Sequence, residues 1–170
     1  MWTRVCYSNK LMKILVTGCA GFIGFHISNK LLAETKYTVI GIDNLNNYYD
    51  NKLKKDRLKI ISNYKNFKFI KTDICNKKKI ENVFKKYNFE VVIHLAAQAG
   101  VRHSISHPDE YISNNINGFY NVLDCSKKIK VKHFLYASTS SIYGNSKKFP
   151  LKEKDETSRP LSLYAATKKS

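Results

Sequence analysis

Short apolar runs rich in β-branched residues alternate along this chain with longer stretches whose apolar positions recur three and four residues apart. Lys13 to Thr17, Thr38 to Asp43, Phe67 to Thr72, Val91 to Leu95 and His133 to Ala137 predict five buried strands. Between them, Phe22 to Glu34, Tyr49 to Ser62, Lys77 to Tyr87 and Asp109 to Ile129 predict helices. In the last of these, Ile112, Ile116, Phe119, Tyr120 and Leu123 keep helical spacing. The alternation predicts an α/β fold, a doubly wound parallel sheet with helices on both faces and right-handed crossovers. Such sheets bind ligands at the carboxyl ends of their strands, where the strand order reverses. Candidate chemistry is therefore sought just after each strand.

Composition changes this picture little. A chain of 170 residues can bury one sizeable core, and 43% apolar with 25% charged residues is ordinary for a globular domain. No apolar run approaches a membrane span, and no secretory pattern opens the chain. Residues 1–11 are polar and irregular and read as a disordered extension, with Met12 as the natural start and 12–170 as the domain. The net charge of +17 invites a nucleic-acid reading, but only four of the thirty basic residues are arginine, the residue suited to bidentate phosphate and base contacts. The lysines are spread along the chain, so solvated surface is expected and no nucleic-acid partner. Cys6, Cys19, Cys75 and Cys125 form no C-x-x-C pair, and the five histidines show no metal-ligand spacing. A cytoplasmic protein without a metal is expected.

After the first strand stands Thr17-Gly18-Cys19-Ala20-Gly21-Phe22-Ile23-Gly24. Glycines at this spacing let the chain turn sharply, bring backbone against a pyrophosphate and pack a helix closely. The amides opening the Phe22 helix favour phosphate charge. Asp43 closes the second strand nineteen residues beyond Gly24, the spacing of a carboxylate that grips an adenosine ribose. No arginine adjoins it, so NAD is expected rather than NADP. Asp73 ends the third strand, where it could meet the adenine amino group. Asn44 and Ile74, beside these acids, join the expected cofactor site. Leu95-Ala96-Ala97-Gln98 follows the fourth strand with small residues that permit close approach.

Near the end stands Tyr164-Ala165-Ala166-Thr167-Lys168. Residues four apart share a helix face, and a cation there favours the phenolate, making Tyr164 a candidate general base. These segments together, with His94-Leu95-Ala96-Ala97 and Tyr143-Gly144, resemble the extended short-chain dehydrogenase/reductase family, whose NAD-binding domain is of the Rossmann type. Within it, Asp43 through Asp50, Gln98-Ala99-Gly100-Val101-Arg102 and Leu163 through Lys169 closely resemble UDP-glucuronate 4-epimerases.

The resemblance implies roles. Thr139 would hydrogen-bond the sugar O4, Tyr164 would take its proton while C4 gives a hydride to NAD, and Lys168 would hold the nicotinamide ribose. The 4-keto sugar would turn over and be reduced on its other face. Asn114 or Asn115 would sit near the cofactor, and Arg102 either near the substrate or on the surface. Sugar 4,6-dehydratases carry an acid after the threonine, and decarboxylases carry glutamate at the position of Ser141. Here Ser140 and Ser141 stand instead, so elimination lacks its acid and two hydroxyls are free to bind a sugar carboxylate. A serine-rich loop that caps itself is the alternative.

The implied partners are a UDP-sugar and, for the full-length enzyme, a second copy in a homodimer. Family members run to roughly twice this length, so the chain reads as truncated before a substrate domain. Its last helix is expected to be too short to hold, and the chain alone to be inactive. A fragment that at most binds NAD, or an epimerase of another UDP-sugar such as UDP-glucose, remain the alternatives.

Overall fold

The computed structural model describes residues 11–170, and the extension expected over 1–11 lies almost wholly outside them. Five parallel strands, β1 (Lys13–Thr17), β2 (Thr38–Asp43), β3 (Phe67–Lys71), β4 (Val91–His94) and β5 (His133–Tyr136), form one sheet in the order β3-β2-β1-β4-β5. The order reverses between β1 and β4, which pair from Ile14 with Val91 to Thr17 with His94. The doubly wound expectation holds.

Alternation along the strands sends side chains to two cores. Ile14, Val16 and Val39 pack with Phe25 and Leu32 of α1 (Phe22–Glu34) and Ile61 of α2 (Asn51–Ile61). Leu15, Ile40, Ile42 and Val92 pack on the other face with Ile80, Val83 and Phe84 of α3 (Lys77–Tyr87) and Val122 and Cys125 of α6 (Phe119–Lys128). At the edge, β5 leaves Leu135 and Tyr136 exposed. No helix among the described residues is long and apolar enough to cross a membrane.

Three departures from the predicted elements have local causes. Helix α2 starts at Asn51 rather than Tyr49 because the Asp50 carboxylate accepts from Lys52 N at 2.8 Å and caps it. The predicted loop before Asp109 contains a short turn, α4 (His103–Ser106), followed by α5 (Pro108–Tyr111). The single long helix expected beyond is interrupted by a π segment, Ile112–Gly118, before α6 begins. There Asn114 gives its side-chain amide to Glu110 O and Asn115 turns its own to another loop, so asparagines compete with the regular ladder. Such π segments gather at functional sites.

Candidate active site

The carboxyl ends of β1, β2 and β4 open into a cleft lined by Gly18, Gly21, Asp43, Asn44, Ile74, Asn114 and the run Leu95 to Ala99. Gly18 has φ +69°, and a Cβ there would lie 2.9 Å from Ala96 N, so only glycine lets the turn meet the β4 loop. A Cβ on Gly24 would be driven into the Gly18 carbonyl, so the start of α1 is seated directly on the turn. Phe22 and Ile23 are exposed and outside the cleft lining, so they can offer a ligand only backbone.

Asp43 is buried beneath this turn. Its Oδ2 accepts from Ala20 N at 3.1 Å and its Oδ1 from Leu45 N at 2.9 Å. Two backbone donors leave further lone pairs on the carboxylate for ribose hydroxyls. The sequence placed no arginine beside Asp43, and none is among the residues lining the cleft. Helix α2 carries back Arg57, whose Nη1 donates to Ala20 O at 3.3 Å, and Lys54, which lines the cleft and donates to Asn46 O at 2.7 Å. Burial lowers Lys54 from the ordinary lysine value, and the Asp43 charge opposes that shift. These cations lie fourteen and eleven residues beyond Asp43, too far along the chain for adjacency to reveal them.

Asp73 accepts from Asn44 Nδ2 at 2.8 Å and from Cys75 N at 2.7 Å. Burial pushes its carboxyl up, but these hydrogen bonds outweigh it, and the net direction is below the usual carboxylate range. Its carboxylate therefore braces the Asn44 side of the cleft. The two asparagines also separate. Asn114 lines the cleft, whereas buried Asn115 accepts from Gln98 N and donates to Gln98 O and to Thr167 Oγ1 at 3.1 Å. Asn115 thus ties the β4 loop to α7 (Leu163–Lys169).

That tie overturns the expectation that the last helix cannot hold. Ser162 caps α7 by accepting from Ala165 N at 3.0 Å, and Ala165 and Thr167 are buried. The Tyr164 ring stands edge-on to buried Tyr111 at 6.1 Å, and the Tyr111 hydroxyl is held by the Ala99 and Gly100 carbonyls. Lys168 lines a second cavity with His94, Ala96, Ala97, Asn115 and Tyr136. Burial pushes its ammonium below the usual lysine value. Both cavities border the β4 loop at Ala96 and Ala97, with Gly18 and Asp43 in the first and Lys168 in the second.

Thr139, Ser140 and Ser141 lie beyond both cavities, at the start of a 3-10 turn (Ser140–Tyr143) against which α7 packs. The Thr139 hydroxyl accepts from Ser141 N and donates to Ser141 Oγ, each at 3.3 Å. Here Thr139 and Ser141 cap their own loop. Arg102 is exposed next to α4 and joins neither cavity.

Sequence reasoning missed Tyr48, Tyr49, Lys54 and Thr72 in the cleft lining, although Tyr48, Tyr49 and Thr72 follow strand ends. It also missed Thr17. The Thr17 hydroxyl accepts from Leu95 N and Ala96 N, both at 3.0 Å, so its own proton goes to His94 Nδ1 at 2.9 Å. His94 is therefore held neutral, and burial, with the Lys168 charge behind it, pushes its pKa down to about 3.

A folded-state value below the unfolded one means that stability is present at neutral pH and lost as pH falls. The window runs from about 6.5, the unfolded histidine value, to about 3. Within it, this one group should contribute a slope approaching ~1.4 kcal/mol per pH unit. Denaturant titrations should show that slope flattened in His94→Leu; an unchanged slope would show that His94 titrates freely.

Residues 15–170 match the sequence model of the GDP-mannose 4,6 dehydratase family. Protein CapI of Staphylococcus aureus is 50% identical over 159 residues, covering 94% of this chain and 47% of that one. UDP-glucuronate 4-epimerase of Thermodesulfobacterium geofontis is 47% identical over 155 residues, covering 91% and 47%. The crystal structure of UDP-glucuronic acid 4-epimerase from Bacillus cereus, in complex with UDP-glucuronic acid and NAD, superposes with a TM-score of 0.84 at 39% identity, covering 92% and 49%. The chain spans about half the length of these relatives.

Proposed function

This chain belongs to the GDP-mannose 4,6 dehydratase family, and on that premise we propose that it carries the NAD site and the reacting tyrosine of a nucleotide-sugar 4-epimerase acting on UDP-glucuronate. The observation that carries the reading is the cleft at the carboxyl ends of β1, β2 and β4, where the glycine turn and Asp43 face the Leu95 to Ala99 loop that also borders the Lys168 cavity. A dinucleotide fits that cleft on physical grounds. Thr72, of the cleft lining, has a hydroxyl with no hydrogen-bond partner among the described residues. The Gly18 position would be filled by any Cβ.

Bound NAD would supply a hydride acceptor that is regenerated in each turnover. The rest falls to the chain. Gly18, Gly21 and the first amides of α1 receive the pyrophosphate, and Asp43 accepts from the ribose. Lys168 donates to the second ribose. Tyr164 takes the proton from the sugar O4 as C4 is oxidised, then gives it back when the keto sugar is reduced on the opposite face. Thr139 donates to O4, and Ser140 and Ser141 hydrogen-bond the carboxylate, once substrate draws Thr139 and Ser141 out of their capping bonds. No acid stands at 140 or 141 to expel a hydroxyl, which favours epimerisation over elimination.

Cofactor titration of the chain by calorimetry tests the site. NAD should bind more tightly than NADP, whose added phosphate would meet the Asp43 charge, even with Lys54 nearby. Asp43→Ala should weaken NAD by roughly 1 to 3 kcal/mol, the scale of a lost charge-assisted hydrogen bond. Equal affinity for NADP, or an Asp43→Ala chain that binds NAD normally, would remove Asp43 from the site.

A further inference from the structure

Outside the cleft, α4 and α5 bring three ligating side chains into one group. A ring nitrogen of His103, one of His107 and a carboxylate oxygen of Glu110 all lie within 4.8 Å of one another. We propose that His103, His107 and Glu110 bind one divalent ion of the zinc class, with a fourth position left to water. Ligand atoms about 2.0 to 2.2 Å from a tetrahedral zinc ion stand about 3.3 Å apart. His103 Nε2 and Glu110 Oε2 are already at 3.1 Å, so the ion replaces the proton that this pair shares.

The surroundings orient His107 for this role. The Ser106 hydroxyl hydrogen-bonds His107 Nδ1 at 2.8 Å and donates to His103 O at 3.3 Å. A second partner that sets the tautomer of a ligating imidazole is the usual support of such sites. The two imidazoles are stacked with centroids 4.1 Å apart and planes 13° apart, so one ring turns about its Cβ–Cγ bond to bring both in-plane lone pairs onto one ion. Two imidazoles and one carboxylate suit zinc better than magnesium or calcium, which prefer oxygen ligands.

The positions are i, i+4 and i+7, but the spacing spans the break at His107-Pro108 between two short helices. A reading that began its helix at Asp109 did not bring the three together. The His103 ring also stands edge-on to Tyr48 at 5.1 Å, and Tyr48 lines the cofactor cleft. A bound ion would therefore tie α4 to α5 directly behind that wall.

Calorimetric titration of the 170-residue chain with zinc chloride tests the site. One ion per chain is expected. His107→Ala and Glu110→Gln should each weaken it at least tenfold, and both positions are exposed, so the fold should persist by circular dichroism. Replacing Cys6 and Cys75 together by serine should leave the isotherm unchanged. No saturable binding, binding unaffected by His107→Ala, or binding lost with the two thiols would each overturn the assignment.

Discussion

Replacing Tyr164 by phenylalanine should cut 4-epimerisation by about a hundredfold or more, the contribution of a positioned general base, while NAD affinity stays nearly unchanged. The assay uses this chain continued by the C-terminal half of the Thermodesulfobacterium geofontis relative, since the match covers 47% of that protein. The split between turnover and cofactor affinity follows from where the ring sits. Tyr164 lies in the first turn of α7, against Tyr111, and its hydroxyl makes none of the bonds that hold the helix. Those belong to Ser162 and to Thr167 with Asn115. Removing one oxygen therefore leaves the scaffold intact. Near-normal turnover in the phenylalanine variant would place the base elsewhere.

Gly24→Ala should be the most disruptive single methyl in the chain. Its Cβ would be driven into Gly18 O and would also crowd Cys19, all of it backbone that cannot rotate away. Helix α1 must shift, at a cost of about 1 to 3 kcal/mol or more. The amides that face the pyrophosphate shift with it, so NAD affinity should fall at least tenfold. Gly21→Ala gives the contrast, because its Cβ would meet the same carbonyl at 3.1 Å and a small adjustment relieves it. Thermal unfolding and NAD titration of the two variants check this. Equal behaviour would mean that α1 is not seated on the turn.

Much of the fold is legible because periodicity is a local property. The runs from Lys13 and Thr38 keep their predicted bounds, and so do the helices from Phe22 and from Lys77. The chain of the cofactor cleft is legible for a related reason, since ligands gather at strand ends and the glycine turn, Asp43, and Leu95 to Gln98 all stand there. What escaped depends on contacts between distant segments. Lys54 reaches the cleft only because α2 folds back over the end of β2. The separation of Asn114 from Asn115 depends on a π segment that changes which face each presents. The His103, His107 and Glu110 group depends on a helix break that apolar spacing does not register.

The most direct test of the proposed chemistry follows an isotope through the reaction. UDP-glucuronate deuterated at C4 is incubated with the continued chain and NAD, and the products are analysed by NMR and mass spectrometry. A hydride removed and returned within one pocket predicts UDP-galacturonate with deuterium retained at C4, no carbon dioxide, and no net reduction of NAD. The Tyr164→Phe protein should give almost none of it. Loss of the label to solvent, release of carbon dioxide, or a 4,6-elimination product would contradict the account.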